Sequence, residues 1–413
     1  MPFKPISSSV DEHSVEMQLL IAVAALRPTM RADQRQRVLD LLQQSIDWEK
    51  FLEFAYHLDV LILIAYNLNQ YFRNELPPET QKRLENNLSA QAIQNMTSVR
   101  ALVAILREFE QHDIAVLNFK GPSLLARCYD HIMQRHYSDL DFIIHPAQYD
   151  LAVERLKSLG YRLVTENSDS FWNRNVYDAR KGYHQAFTHP DVAFLVEIHW
   201  RITNEGYSMV LPEALMWSNV QTVSWGKVGI KTFSDELLLL LLSAHGAKHK
   251  WDALKWVCDI GFLLQDQRGL DWVKYLDLAR RFRCLRRALL SIVLACSLFD
   301  LPLPPALVPE VEREPEVKRL CDLVCLWLLA EGNEGVLPEK LGFMADIYDT
   351  PWQRFQQRLD IFPILIGRLL QPSERDREII QLPNALSFLY ILIRPLRLLL
   401  QRLGLLKRRT VQS

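Results

Sequence analysis

The residues with the clearest chemical meaning are two aspartates one position apart, in the run Ser138-Asp139-Leu140-Asp141-Phe142-Ile143-Ile144. The apolar residues that follow predict a strand, and side chains at positions i and i+2 of a strand point to the same face. Asp139 and Asp141 can therefore act on one site. Two neighbouring carboxylates repel each other unless a hard cation lies between them, and magnesium carrying a triphosphate is the usual occupant.

A third carboxylate stands on a second predicted strand, Phe194-Leu195-Val196-Glu197-Ile198-His199-Trp200. This run is apolar enough to lie beside the first strand in a sheet. Glu197 and His199 share one face of it for the same reason of spacing. The two strands together predict a cluster of three acids with a histidine beside them.

Upstream of the aspartates, Lys120-Gly121-Pro122-Ser123 predicts a turn from a strand into a helix. Pro122 suits the first helical position, where its missing N–H is not needed. The N-terminal end of a helix favours phosphate through its unpaired N–H groups and its dipole. Gly121 lets the backbone approach a ligand closely, and Lys120 can neutralise phosphate charge. An ordinary structural turn would use the same glycine, so the two interpretations are compatible.

These motifs together resemble the DNA polymerase beta-like nucleotidyltransferase superfamily and, within it, the family called uncharacterised nucleotidyltransferases. The resemblance covers roughly residues 50 to 265. Its parts are the run Phe119-Lys120-Gly121, Tyr129, Arg135, the Asp139-Leu140-Asp141 pair, His184, the segment Glu197-Ile198-His199-Trp200, and the stretch from His245 to His249 with Trp256 and Asp259. One departure concerns the turn, where Pro122 separates Gly121 from Ser123, although in the superfamily Ser follows the Gly directly.

The resemblance implies a metal-dependent transfer of a nucleoside monophosphate from an NTP, with ATP as the first choice. Asp139, Asp141 and Glu197 would be the catalytic residues and would bind two Mg²⁺ ions. The nucleotide-binding residues would be Lys120, Gly121, Ser123, Arg135, Lys248 and His249. His184 and His199 would contact the acceptor or orient the carboxylates.

Several of these residues have a second interpretation. Arg135 is either a phosphate or acceptor contact or an ion-pair partner of the acidic pair. His184 and His199 are either site residues or structural strand histidines. His245 and His249, four residues apart, have a zinc-ligand spacing, but no glutamate follows His245 and no third ligand stands nearby. We therefore favour a role for Lys248 and His249 in facing the nucleotide or another domain.

The pattern of apolar residues predicts an α+β fold, with a small mixed β-sheet nucleotidyltransferase core flanked by N- and C-terminal helical domains. The expected domains are 1–112, 113–232 and 233–413. A long helix is expected from Pro77-Pro78 to about His112. Strands are expected at 114–118, 138–144, 161–165, 183–189 and 193–200, with helices from Ser234 onward.

Composition adds a few limits. The net charge of −1 over 413 residues carries no basic footprint for nucleic acid, so nucleic acid is not expected as a partner. Six cysteines stand singly in apolar segments and predict buried, reduced thiols. The start, Met1-Pro2-Phe3-Lys4, has no apolar signal core, and no apolar run has the length of a membrane span. We therefore expect a cytoplasmic protein of bacterial type.

The last segment is basic, with no acidic residue after Glu378 and with arginines interleaved with leucines between 388 and 409. A basic amphipathic helix binds an anionic membrane surface or docks on a partner. A core-packed final helix with a solvated basic end explains the same pattern.

The sequence thus predicts a nucleotidyltransferase that acts on an unidentified small-molecule, peptide or protein acceptor. The rival hypothesis is a non-catalytic nucleotide sensor or scaffold that keeps the fold. The three carboxylates favour catalysis, whereas the altered glycine turn favours the rival.

Overall fold

The computed structural model describes residues 10–164, 183–192, 194–202, 209, 211–266, 269–330 and 337–359. The chain divides into two compact units, 1–349 and 350–413. In the second unit, the described residues form a helix over 351–359. The predicted basic segment 388–409 lies outside the described residues, and the division into three domains stays a prediction.

The N-terminal part of the first unit is helical, as predicted. Its helices are α1 (Val15–Ala24), α2 (Ala32–Leu42), α3 (Trp48–His57), α4 (Leu61–Tyr71) and α5 (Pro78–Gln111). The Asp47 carboxylate caps α3 by accepting the backbone N–H groups of Glu49 and Lys50, which have no partner inside the helix. Helix α5 begins at a proline and has the length that the sequence predicts.

The mixed sheet has five strands in the order β1-β2-β5-β4-β3. They are β1 (Val116–Asn118), β2 (Asp139–Ile144), β3 (Arg162–Leu163), β4 (His184–Thr188) and β5 (Leu195–His199). Strands β2 and β5 are parallel, and the other pairs are antiparallel. Helix α6 (Pro122–Cys128) follows β1, and α7 (Tyr149–Ser158) follows β2. The five predicted strands are present, each within a few residues of its expected bounds.

The two faces of the sheet have different roles. Leu140, Phe142, Val196 and Ile198 point to one face, where they pack in a core with the end of α5 and with α7. The alternate residues point to the other face, so Asp139 and Asp141 on β2 and Glu197 and His199 on β5 lie together there. Because the apolar residues must be buried on one face, the acids and His199 necessarily lie on the opposite face.

A hairpin and a helical bundle complete the first unit. Helix α8 (Glu213–Ser218) leads into the hairpin of β6 (Val220–Trp225) and β7 (Val228–Phe233), which our sequence analysis does not predict. The bundle comprises α9 (Asp235–Lys248), α10 (Leu254–Leu264), α11 (Trp272–Arg281), α12 (Leu285–Leu298), α13 (Val308–Arg313), α14 (Pro315–Leu328) and α15 (Leu337–Asp346).

The bundle confirms the predicted helices after Ser234. All six cysteines are buried and unpaired, as their apolar surroundings predict. Within the described residues, no helix combines the length and the apolar character needed to cross a bilayer. The cytoplasmic location stays a prediction.

Candidate active site

The acidic cluster is held by the register of the central strands. Asp141 is the direct partner of Glu197 across the parallel pair β2–β5, and His184 is the partner of His199 across β4–β5. His199 Nε2 lies 2.9 Å from Asp141 Oδ1 and 3.2 Å from Glu197 Oε2. The His184 and His199 rings stack with centroids 4.9 Å apart. Sheet pairing therefore joins two acids and two histidines into one compact cluster.

Burial and charge act differently on the three acids. Burial and the neighbouring Asp141 raise the pKa of Asp139 above its ordinary value. Burial alone would also raise the pKa of Asp141, but Lys120 and the hydrogen bond from His199 outweigh it and lower this pKa to about 2. Burial opposes the ionisation of Glu197 as well, and again the bond from His199 prevails and lowers the pKa. Of the three acids, Asp139 is thus the one whose negative charge is least stabilised by neighbouring positive charges and hydrogen bonds.

The two histidines of the cluster also differ. Burial and the charge of His199 lower the pKa of His184 to about 4, so His184 is neutral at pH 7. Burial lowers the pKa of His199 too, but its bonds to Asp141 and Glu197 reverse the effect and raise the value above the ordinary one. When protonated, His199 stabilises the ionised forms of the two carboxylates that its ring contacts.

The glycine turn brings Lys120 to the cluster. Gly121 has φ of +54°, and a Cβ there would lie 3.2 Å from the carbonyl oxygen of Asp139 and 3.4 Å from the Tyr137 ring. Only glycine combines this conformation with so close a contact to β2. Lys120 Nζ consequently lies 3.8 Å from Asp141 Oδ1, with the lysine side chain about one-fifth exposed.

Ser123 does not line the cavity that most of the predicted site residues form. Its side chain is fully buried in the first turn of α6, and its hydroxyl donates a hydrogen bond of 3.1 Å to the carbonyl oxygen of Lys120. Its backbone N–H binds the side-chain oxygen of Asn118. Pro122 moves Ser123 one position into the helix, so the structure gives this hydroxyl a role inside the turn.

Most of the predicted site residues line one cavity of about 200 Å³. Lys120, Asp139, His184, Glu197 and His199 reach it from the sheet side. Asp141 lies behind them, with 1% of its surface exposed and its Oδ2 without a hydrogen-bond partner among the described residues. The cavity is therefore the opening through which a ligand would reach the acids.

Helix α9 forms the opposite wall through a single face. Leu238, Leu241, Leu242, His245, Lys248 and His249 line the cavity at intervals of three and four residues. The face is apolar in its first half and polar in its last turn. Gly246 is needed at this end because a Cβ would lie 2.4 Å from the fully buried Trp251 ring. This wall brings Lys248 and His249 to the cavity, as our sequence analysis expects.

The polar end of α9 is electrostatically unusual. Lys248 Nζ lies 3.4 Å from the Tyr183 hydroxyl and 5.5 Å from the centre of its ring. Burial and the charges of Lys248 and Lys120 lower the pKa of His249 to about 4. Burial also lowers the pKa of Lys248, and Lys120 adds to the effect. Two lysines thus face one small cavity, an arrangement that favours an anionic ligand between them.

Arg135 has a partner that the sequence does not predict. Its Nε and one terminal nitrogen donate to the two oxygens of Asp259 on α10, at 2.8 and 2.9 Å, and both side chains are buried. The Tyr129 hydroxyl donates to the same carboxylate at 2.6 Å. Arg135 therefore ties the chain entering β2 to the helical bundle, rather than forming an ion pair with the acidic pair.

Three kinds of cavity residue escape the sequence analysis. Tyr183 carries no motif. Leu238, Leu241 and Leu242 belong to a run of six leucines, in which no periodicity distinguishes the cavity face from the core. Arg287 comes from α12, far along the chain from the motifs. The arginines and leucines around Arg287 form no pattern that would distinguish a cavity residue from an ordinary helix residue.

The comparison of sequences with known families decides the assignment. The sequence model of the family of uncharacterised nucleotidyltransferases matches residues 44–300, more than half of the chain. The chain belongs to this family. The matched region of this nucleotidyltransferase contains the sheet, the glycine turn, the acid–histidine cluster and helix α9.

Comparisons with individual proteins add less. Among solved structures, a similar chain is the lincosamide antibiotic adenylyltransferase LnuA in its lincomycin-bound crystal structure. It has 12% sequence identity, and the match covers 45% of this chain and 96% of that chain with a TM-score of 0.24. No curated protein matched the chain.

The donor set of this nucleotidyltransferase fits a divalent cation. Carboxylate oxygens from Asp139, Asp141 and Glu197 are the ligand type that Mg²⁺ prefers. The buried Oδ2 of Asp141, which accepts no hydrogen bond from any described residue, has unused acceptor capacity at the same place. Ligand atoms of His184, Glu197 and His199 also lie within 4.8 Å of one another, a grouping that can hold a metal ion. A cation held by this grouping would take the place of the proton on the His199 nitrogen that contacts Asp141 and Glu197, because a histidine ligand must be deprotonated.

Proposed function

We propose that this protein transfers a nucleoside monophosphate from an NTP, with ATP as the expected donor, to a hydroxyl of an acceptor other than nucleic acid. The observation that carries the proposal is the register pairing of Asp141 with Glu197. Glu197 lines the cavity with Asp139 and Lys120, and Asp141 lies behind them, 3.8 Å from Lys120 Nζ. Family membership supports nucleotidyl transfer in general. The donor, the acceptor and the dependence on metal belong to the proposal.

In this proposal, Asp139, Asp141 and Glu197 hold two Mg²⁺ ions. When bound, the ions would neutralise the triphosphate and stabilise the departing pyrophosphate. The His199 imidazole orients Asp141 and Glu197 through its two hydrogen bonds. His199 thus holds the two carboxylates in place for ligands that enter from the cavity.

Three further residues of the cavity serve the nucleotide in this proposal. Lys120 approaches from the glycine turn, and Lys248 and His249 approach from the last turn of α9. Two lysine charges favour the polyphosphate over the neutral parts of the NTP. Neutral His249, whose ring centroid lies 5.0 Å from that of Trp256, has the character of a base or ribose contact.

The proposed chemical step is a displacement at the α-phosphorus of the NTP. The acceptor oxygen forms a bond to the α-phosphorus, and the bond from that phosphorus to the oxygen bridging to the β-phosphate breaks, releasing pyrophosphate. The hydroxyl proton passes to a carboxylate oxygen of Asp139. Asp139 lines the cavity, whereas Asp141 lies behind it and is bound to His199, so Asp139 presents its carboxylate to an acceptor that enters the cavity.

The test combines binding and turnover. Mg²⁺-ATP binding should be measured by calorimetry with and without Mg²⁺, and pyrophosphate release should be followed with pooled small molecules and peptides as acceptors. Mg²⁺-dependent binding with acceptor-dependent release of pyrophosphate supports transfer. Binding of intact ATP with no pyrophosphate release from any pool would instead favour the nucleotide sensor.

A further inference from the structure

Arg287 is a buried cation in the wall of the candidate active site. It belongs to α12, has 2% of its surface exposed and lines the same cavity as Asp139 and Lys120. Neither the family motifs nor the proposed transfer chemistry uses it. Burial of a charged group is unfavourable unless a partner of opposite charge or several hydrogen bonds compensate for it.

The other buried arginines show what compensation looks like in this protein. Within the described residues, Arg127, Arg135 and Arg286 are the other buried arginines, and each forms an ion pair with a carboxylate. Arg127 pairs with Asp235 and Asp266, Arg135 with Asp259, and Arg286 with Glu314. Arg286 additionally donates to the carbonyl oxygens of Asp346 and Tyr348.

Arg287 lacks such a carboxylate among the described residues. It donates one hydrogen bond of 3.3 Å to the carbonyl oxygen of Arg283, and its guanidinium lies 4.8 Å from the centre of the Tyr348 ring. Its Nε is buried and has no hydrogen-bond partner in the part of the chain that the structure describes. Asp349 is near enough for the charge of Arg287 to oppose the rise in its pKa that burial causes, but its oxygens accept the backbone N–H groups of Leu285 and Arg286. The guanidinium therefore has fewer hydrogen-bond acceptors than the other buried arginines and no ion pair with a described carboxylate. Because it also lies in a cavity wall, it can bind an anion from outside the chain.

The walls around Arg287 restrict the kind of anion. Leu238, Leu241 and Leu242 from α9, together with Ile202 and Met209, make much of the cavity apolar. A ligand that satisfies both features has an apolar body and an oxyanion. The polar end of the same cavity holds the acids and the two lysines, which we have assigned to the NTP and the metal ions.

We propose that Arg287 binds an oxyanion, a carboxylate or a phosphate, on the acceptor, so the acceptor is an amphiphilic anion that also carries the nucleophilic hydroxyl. The identification of this anion as the acceptor rests on the proposed nucleotidyl transfer. The anion site itself depends only on Arg287 and the apolar wall. The alternative source of the oxyanion is the triphosphate of the NTP, and the two sources make different predictions.

The test uses a matched pair of probes, hexanoate and the neutral hexanamide, with calorimetry on the full-length chain in the absence of nucleotide. A charge-assisted hydrogen bond is worth about 1.5–3 kcal/mol, so the native chain should prefer hexanoate by about tenfold to a hundredfold. Arg287→Met should bind the two probes equally. Arg287→Lys, which keeps the charge and loses the planar fork, should keep only part of the preference. Arg100→Met removes a positive charge from an exposed position of α5 and should leave the preference intact.

Two further measurements separate the sources of the oxyanion and the two proposals. Mg²⁺-ATP should bind Arg287→Met as tightly as it binds the native chain. Asp139→Asn should lose Mg²⁺-ATP binding and still prefer hexanoate over hexanamide. The anion site can therefore be tested even if the transfer proposal fails. Equal binding of the two probes by the native chain would overturn the inference, as would an undiminished preference in both Arg287 variants. A tenfold or larger loss of Mg²⁺-ATP affinity in Arg287→Met would assign Arg287 to the triphosphate and overturn its role in binding the acceptor.

Discussion

His199 and Asp141 are joined by a hydrogen bond of 2.9 Å between Nε2 and Oδ1, although 58 residues separate them in the chain. The same nitrogen lies 3.2 Å from Glu197 Oε2. One imidazole therefore bridges the acids that face each other across β2 and β5. These two contacts hold the carboxylates of Asp141 and Glu197 close together and give the site a defined geometry before a ligand binds.

This bridge predicts a pH-dependent contribution of His199 to stability. The folded pKa of His199 is raised above 6.5, so its contribution is complete below about 6.5 and is lost as pH rises through the raised value. The folded pKa of Asp141 is lowered from 3.8 to about 2, so its contribution is complete above about 4 and is lost toward pH 2. Urea unfolding of His199→Gln should show a loss of about 1.5–3 kcal/mol at pH 5 and a smaller loss at pH 9. A loss that is equal at both pH values would contradict the bridge.

A second prediction concerns His249. Because it lines the cavity and is only half-buried, His249→Ala should weaken Mg²⁺-ATP binding while the melting temperature stays nearly unchanged. The matched control is His57→Ala, at a position whose side chain is 66% exposed at the end of α3. Calorimetry and thermal melts decide between the two roles. A large fall in melting temperature with unchanged binding would assign His249 to the fold.

A third prediction concerns the glycine turn. Gly121→Ala introduces a Cβ in a strained conformation, 3.2 Å from the backbone of Asp139, and should destabilise the protein by about 1–3 kcal/mol. Because the contact is to the strand that carries the acids, Mg²⁺-ATP affinity should fall as well. Gly226→Ala is the control, since Gly226 also has a positive φ of +57° but has nothing within 4 Å of its Cβ position. Equal effects of the two substitutions on ATP affinity would contradict the claim that the glycine turn positions the strand that carries Asp139 and Asp141.

A fourth prediction separates the interpretations of Arg135. Asp259→Ala leaves Arg135 buried without its carboxylate and should destabilise the protein by about 3–5 kcal/mol. The double variant Arg135→Met with Asp259→Leu should recover much of this loss, because it removes both charges together. Nucleotide affinity measured on the double variant tells whether Arg135 also serves the ligand. Native affinity would restrict Arg135 to the fold, and a clear loss would support the predicted nucleotide contact.

The sequence predicts the acidic cluster because its logic is local. Asp139 with Asp141, and Glu197 with His199, are each two residues apart on an apolar strand, and period-two alternation alone assigns each pair to one face. The placement of the two strands side by side is an inference from their apolar character and from the resemblance. The observed register, with Asp141 opposite Glu197, brings the acids of the two strands together.

The contacts that escape the sequence are long-range. Arg135 finds Asp259 across 124 residues, and nothing near either residue indicates the other. Leu238, Leu241 and Leu242 line the cavity, but a run of leucines carries no period that would identify the exposed face. The role of Ser123 depends on how Pro122 sets the first turn of α6, a matter of backbone geometry.

The most direct test of the central claim is the thermal response of Asp139→Asn to Mg²⁺-ATP. Asp139 is the best acid for this test because burial and the neighbouring Asp141 raise its pKa, so its charge opposes folding in the absence of metal. Substitution of Asp141 or Glu197 would also break the bonds to His199. The control is Asp277→Asn on the exposed side of α11.

Ligand present at a hundredfold excess over Kd stabilises a folded chain by about 2.7 kcal/mol, which a thermal melt resolves easily. We predict that Asp139→Asn melts at the same temperature as the native chain or higher without ligand, and that Mg²⁺-ATP no longer raises it. The native chain and Asp277→Asn should both show the full Mg²⁺-ATP-dependent rise. An undiminished rise in Asp139→Asn would contradict the assignment of Asp139, Asp141 and Glu197 as the site of the metal ions and the nucleotide.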